Sequence, residues 1–341
     1  MKSPVAAPLK LHVEVEKWPL KTPFRITGYT MVDLEAVVVT LEQDGFTGRG
    51  EAAGVYYLKD DVPAMLDRIE SVRAAIETGV DRASLQGLLP AGGARNALDC
   101  ALWDLDAKRT GRPAWQIAGI ESPRPLLTAH TVGADTPAVM AQGARAYEHA
   151  KLIKLKLTGE PADADRVRQV RAARPDVDIA VDANQGFTRA SLMALMPVLL
   201  DARVVLIEQP FKVGMEAELD GLHSPIPIAA DESAQTLRDL HSLIGRISVV
   251  NIKLDKCGGL TEGLAIAHEA RRLGLDVMVG NMTGTSLAMA PGFIVGQLCR
   301  FVDLDGPLLL REDRSPAAIY RDGRIWCPEN VWGGASGLAL S

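Results

Sequence analysis

A chain of 341 residues with 47% hydrophobic and 23% charged residues and a formal net charge of -6 has the composition of an ordinary globular protein. No basic surplus draws it to nucleic acid or to an anionic membrane, so neither partner is expected. Cys100, Cys257, Cys299 and Cys327 lie far apart, with no CxxC pair and no histidine at metal-ligand spacing, and read as free thiols of a reducing compartment.

The opening MKSPVAAPLKLHVEVEKW has no apolar run long enough for a signal peptide, and no window of about twenty uncharged apolar residues follows, so a cytoplasmic protein is expected. Leu11 to Lys17 alternates like a strand, Leu34 to Glu42 is rich in valine, and Gly45 to Glu51 is a glycine-spaced return. Together they predict a small antiparallel sheet. Two helices are predicted next, Pro63 to Glu77 and Ala94 to Lys108; in the second, Leu98, Ala101, Leu102 and Leu105 share one face, and Gly111 and Pro113 end it. Residues 1–118 therefore read as an α+β capping unit.

From Leu126 onward short apolar strands alternate with amphipathic helices, and the strands lack polar alternation, as buried parallel strands do. The segments are Leu126 to Val132, Leu152 to Leu157, Asp178 to Val181, Val204 to Ile207, Ile226 to Ala230, Val249 to Leu254, Asp276 to Val279 and Phe301 to Leu304, recurring roughly every 22 to 28 residues. This α/β pattern predicts a (β/α) barrel over residues 119–314. The stretch from Ala317 to the end, rich in glycine, is expected to fold back, so that 315–341 completes the capping unit.

In such barrels the chemistry sits at the C-terminal strand ends. The third segment ends in Asp182, the fourth in Glu208 and the fifth in Asp231, aiming three carboxylates at one volume. Each alone could cap the helix after its strand. Three in succession repel unless a cation lies among them, and an all-oxygen donor set favours magnesium over zinc. In KLIKLKL, Lys154 and Lys156 are two residues apart and project to one side, while Ile153, Leu155 and Leu157 face the helices. The sixth segment supplies Lys253. In an eight-stranded barrel the second and sixth strands are opposite, so Lys156 and Lys253 are expected to face each other across the metal. A metal-bound carboxylate substrate with a lysine on each face of its α-carbon predicts epimerisation or racemisation.

The motifs KLKL, VDAN, IEQP, ADES and NIKLDKCGGLTE, in this order, resemble the enolase superfamily, muconate-lactonising subgroup, whose fold is a modified barrel with an α+β N-terminal cap. LPAGGARNALDCALWDL and FVDLDGP further resemble the dipeptide epimerases. The resemblance implies one Mg2+ per subunit on Asp182, Glu208 and Asp231, Lys156 and Lys253 as acid–base catalysts, and Lys154 stabilising the substrate carboxylate. It also implies that Asp303 and Asp305 hold the α-ammonium of a dipeptide. The implied activity is inversion of the second residue of an L-Ala-L-Xaa dipeptide by a homo-oligomer. In relatives that select an acidic second residue a loop arginine reads that side chain. Met31 occupies its place here and Arg25 lies nearby, so an apolar pocket lined by Phe24, Tyr29, Met31, Tyr56 and Tyr57 is expected. Thr131, Asn184, Asp255 and Met282 complete the candidate substrate-binding set. The alternatives are the L-Ala-D/L-Glu epimerase of peptidoglycan recycling, and a cycloisomerase or o-succinylbenzoate synthase, lyases that need no ammonium-binding acid pair.

Overall fold

The computed structural model describes residues 8–26 and 29–335. Strands β1 (Lys10–Ile26), β2 (Tyr29–Gln43) and β3 (Phe46–Ala52) form the antiparallel sheet, longer than the alternation alone suggests. Asp44 and Gly45, both at positive φ, make the two-residue turn between β2 and β3, the conformation such hairpins need. Helices Val62–Glu77, Arg82–Leu88 and Gly93–Thr110 cover one face, the first two capped by the carboxylates of Asp61 and Asp81. Leu98, Ala101, Leu102 and Leu105 are buried as their spacing predicts. A side chain at Gly48 or Gly50 would run into the backbone of Ala101 or Ala97, so glycine there lets strand and helix touch.

The segment Leu126 to Val132 is divided. Leu126–Leu127 (β4) pairs antiparallel with a C-terminal hairpin, and only Ala129–Val132 (β5) enters the parallel sheet. That sheet continues through β6 (Leu152–Lys156), β7 (Asp178–Asp182), β8 (Val204–Glu208), β9 (Ile228–Ala230), β10 (Val249–Ile252), β11 (Asp276–Val279) and β12 (Phe301–Val302), eight strands in sequence order. Side chains join its two edges: Thr128 Oγ1 accepts from Leu304 N at 2.9 Å, and Asp305 Oδ2 accepts from Thr131 N at 2.6 Å. The hairpin is β13 (Ile319–Arg321) with β14 (Arg324–Trp326). Beyond it the chain returns to the cap, where Trp332 Nε1 donates to Arg49 O at 2.7 Å and Gly333 N donates to Asp104 at 2.8 Å.

The barrel interior is layered. Ala129, Leu152, Ala180, Leu206, Ala229, Val249 and Met278 close its base as one apolar cluster. Two residues further along each strand, on the same face, stand Thr131, Lys154, Asp182, Glu208, Asp231, Asn251 and Gly280. The period of two thus carries the chain from a greasy floor to a charged mouth. Ile153, Leu155 and Leu157 point the other way and are fully buried against the helices. Among the described residues no helix is long and apolar enough to cross a membrane.

Candidate active site

The charged layer is an alternating lattice of acids and ammonium groups. Lys154 Nζ lies 3.1 Å from Asp182, 2.7 Å from Glu208 and 2.8 Å from Asp303. Lys156 Nζ lies 2.6 Å from Asp182, and Lys253 Nζ lies 2.6 Å from Asp231. Lys156 and Lys253 therefore hold different acids from strands four places apart in the sheet. All of these side chains are buried, so desolvation magnifies every term. Burial opposes charge on Asp182, yet Lys156 and Lys154 outweigh it and hold the carboxyl well below its usual range. Asp231 is depressed likewise by Lys253 and Lys256. Glu208 goes the other way, pushed up to about 8 by burial and the charge of Asp182.

Asp182, Glu208 and Asp231 present only oxygen donors, and the position between Asp182 and Glu208 already draws a cation in the form of the Lys154 ammonium. Glu208 Oε2 is buried, and its contact is with the Lys154 ammonium at 2.7 Å. That chemistry fits a hard divalent ion such as magnesium. The ammonium groups bridge the acids here, and among the described residues no three acids close by themselves around one point.

The remaining predicted residues separate. Asp303 and Asp305 reach the mouth from the end of β12. Asp305 is pushed up to about 7 by burial and its neighbour Asp303, and Asp303 Oδ1 is buried with no hydrogen-bond partner among the described residues. Thr131 contributes its backbone N–H to Asp305. Asn184, at φ +41°, sits beside the acids with its Nδ2 3.4 Å from Glu232. Met31 and Met282 line an adjoining cavity of about 340 Å³ with Val32, Leu34, Tyr56 and Val62. Phe24 packs instead with Leu20 and Leu34 in the cap, and the Tyr29 side chain lies outside the described residues. Arg25 is exposed, 3.5 Å from Asp135. Asp255 faces the cap: its Oδ1 accepts from Ala53 N and Gly54 N, each at 2.9 Å, anchoring the cap loop to the strand that carries Lys253.

Sequence reading passed over several positioning groups. Asn251 Nδ2 donates to Glu208 at 2.9 Å. Gln209, at φ +36°, accepts from the backbone N–H groups of Asp231 and Ser233 and donates to Phe211 O, binding the loops after β8 and β9. Glu232 is a further buried acid, raised to about 7 by burial and Asp231. Position two before Lys253, on the inward face, was the available signal for Asn251; Gln209 and Glu232 carried none beyond adjacency to an acid.

A cap over a parallel barrel, with acids and lysines interleaved at the strand ends, defines the protein as a capped (β/α)-barrel with a buried charged site at its mouth. Two family sequence models cover nearly all of it: "Mandelate racemase / muconate lactonizing enzyme, N-terminal domain" matches residues 9–119 and "Enolase C-terminal domain-like" matches residues 138–334. The chain belongs to the enolase superfamily, in its mandelate racemase/muconate-lactonising branch. It is 41% identical to the L-Ala-D/L-Glu epimerase of Escherichia coli (strain K12) over 312 residues, 91% of this chain and 97% of that one. It superposes with a TM-score of 0.93 and 38% identity on an enolase family member from Agrobacterium tumefaciens with homology to dipeptide epimerases, solved with sodium and L-Ala-L-Glu; the match covers 96% of this chain and all of that one. A dipeptide epimerase from Enterococcus faecalis complexed with Mg and L-Leu-L-Tyr superposes with a TM-score of 0.88 at 27% identity, covering 97% and 98%.

Proposed function

We propose that the protein is a magnesium-dependent dipeptide epimerase, an isomerase that inverts the α-carbon of the second residue of an L-Ala-L-Xaa dipeptide. The observation that carries the reading is the pair Lys156, at the end of β6, and Lys253, directly after β10 four strands away, each ion-paired to a different acid at 2.6 Å. A substrate carboxylate between them offers its α-carbon to one ammonium-bearing side chain on either face. Asp182, Glu208 and Asp231 are the residues that would hold Mg2+, which when bound supplies the positive charge needed as the carboxylate gains its second negative charge. Lys154, already spanning three acids, orients and partly neutralises that carboxylate. Lys253 leaves Asp231 Oδ2 and Lys156 leaves Asp182, each to its own face of the α-carbon: the lysine in its neutral amine form takes the α-proton and becomes ammonium, and the other, an ammonium, gives a proton to the opposite face and becomes the amine. Asp303 Oδ1, a buried acceptor without a donor, is suited to the α-ammonium of the dipeptide, with Asp305 beside it. A cycloisomerase or synthase has no use for that acid pair.

The second side chain is apolar in this reading. The cavity beside the site is walled by Met31, Val32, Leu34, Tyr56, Val62 and Met282 together with the carboxylates of Asp33, Glu35, Asp60 and Asp61, which repel an acidic side chain; Lys17, the only lysine or arginine among its described lining, is already 3.1 Å from Asp33. Residues 1–118, completed by 315–341, act as the cap and 119–314 as the barrel in this reading; the N-terminal family model, which ends at residue 119, supports the first boundary, while the C-terminal model runs on to residue 334. A homo-oligomer in the cytoplasm completes the proposal. Its test is incubation of an L,L-dipeptide library with Mg2+ in deuterium oxide: α-deuterium should enter the second residue, fastest for apolar side chains. No incorporation across the library ends the reading, and preference for L-Ala-L-Glu ends its apolar part.

A further inference from the structure

Lys256 is a fully buried ammonium that the chemistry above leaves unused. It lies in the short helix Leu254–Cys257, one residue beyond Asp255, and its side chain is sealed from solvent. Its Nζ is 2.6 Å from Asp231 Oδ1, 2.5 Å from Asp231 O, 3.0 Å from Ala234 O and 3.1 Å from Asn251 O. Three N–H protons are thus shared among four oxygens. A staple between the loop after β9 and the end of β10 needs only the three carbonyls. The added contact is with the carboxylate, and it falls on the oxygen that Lys253 does not use: Lys253 Nζ takes Oδ2 at 2.6 Å.

We propose that Lys256 is a positioning residue for the metal site, fixing the Asp231 carboxylate from beneath so that a single oxygen, Oδ2, faces the barrel mouth. Without it, the Asp231 carboxylate is held only through Oδ2 by Lys253, the group that leaves it during turnover, and it can then turn about its side-chain torsions. The inference rests on the reading of Asp231 as a magnesium ligand. Groups that hold a metal ligand in place, rather than the metal, are worth about 10- to 100-fold in metal affinity. Lys256 should therefore act on Mg2+ binding first and on turnover only through it.

The experiment is calorimetric titration of Mg2+ into the metal-stripped full chain, in wild type, Lys256→Met and Lys256→Gln. The control is Leu199→Ala, a core truncation in the helix Arg189–Asp201, away from the acids. The expected result is a Kd raised about 10- to 100-fold in Lys256→Met, raised less in Lys256→Gln, and unchanged in Leu199→Ala at a similar loss of thermal midpoint. Dipeptide turnover by Lys256→Met should then climb toward the wild-type kcat as Mg2+ is raised. If Lys256→Met does not fold, Lys256→Gln gives the same readout. A wild-type Kd in the lysine variants, or an equal weakening in Leu199→Ala, overturns the proposal. Failure of the wild type to bind Mg2+ removes the metal reading and this inference with it, whereas wild-type binding with unaffected variants removes the inference alone.

Discussion

Individual side chains at the mouth titrate against one another, and the two lysines offered as bases make the sharpest prediction. Lys156→Ala and Lys253→Ala should each abolish epimerisation, with kcat falling by about 10²- to 10⁴-fold, while each still exchanges the α-proton of only one epimer. Proton NMR in deuterium oxide, started separately from the L,L and L,D dipeptides, checks this; loss of exchange from the same epimer in both variants would place the lysines on one face. Asp255 gives a stability prediction. Burial pushes it up to about 7 despite two backbone N–H donors. Because its folded value lies above the ordinary 3.8, the folded state retains its proton. Its contribution to stability is complete below about pH 4 and is lost as pH rises through 7. Asp305, also raised to about 7, acts in the same direction. Asp255→Asn keeps an oxygen for Ala53 N and Gly54 N but cannot ionise, so it should flatten the fall in thermal midpoint between pH 5 and 8, a difference on the order of a few kcal/mol. An unchanged slope would remove Asp255 as its source.

At the scale of elements, the cap is joined to the barrel by a partly buried ionic knot. Arg314, just before β13, is 2.5 Å from Glu16 on β1 and 3.0 Å from Glu51 on β3. Glu51 also accepts from Thr285 N at 2.8 Å and from its hydroxyl, at the start of the helix Ser286–Gly296. Arg314→Met should strand the buried Glu51 charge and cost about 3 kcal/mol, read as a lower denaturant midpoint at constant slope. The restoring double variant Glu51→Gln/Arg314→Met should recover part of it. Loss in that double variant equal to the sum of the single losses would mean the pair does not interact. The strands of this knot and of the barrel were legible in sequence where alternation or apolar runs were strong. Leu126 to Val132 read as one strand because its apolar character is continuous, but Thr128 marks a division: Leu126 and Leu127 pair with β14, over 190 positions away, and no local pattern encodes that partner.

For the molecule as a whole, the proposed metal site on three acids would make metal binding and folding one equilibrium. Mg2+ at one hundred times its Kd should add about 2.7 kcal/mol to stability, and chelation should remove it, as a shift of the thermal midpoint. Asp182→Asn should abolish that shift. A midpoint indifferent to Mg2+ in the wild type would sever the link between the acids and the ion.

What the sequence determined by itself follows from local rules. A period of two put Lys154 and Lys156 on one face of their strand, apolar runs marked the buried strands, and a place at or just past a strand's end singled out Asp182, Glu208 and Asp231, whereas Asp303 and Asp305 came from the resemblance to the family. What only the tertiary structure decided is which charge meets which. Lys253 chooses Asp231, Lys256 seals that acid from behind, Asn251 supports Glu208, and Asp255, adjacent in sequence to the site, turns to the cap loop instead. Side-chain direction along one strand is fixed by the pleat of its own backbone, whereas a cross-strand partner depends on sheet order and on how the cap settles over the mouth, which no stretch of neighbouring residues encodes.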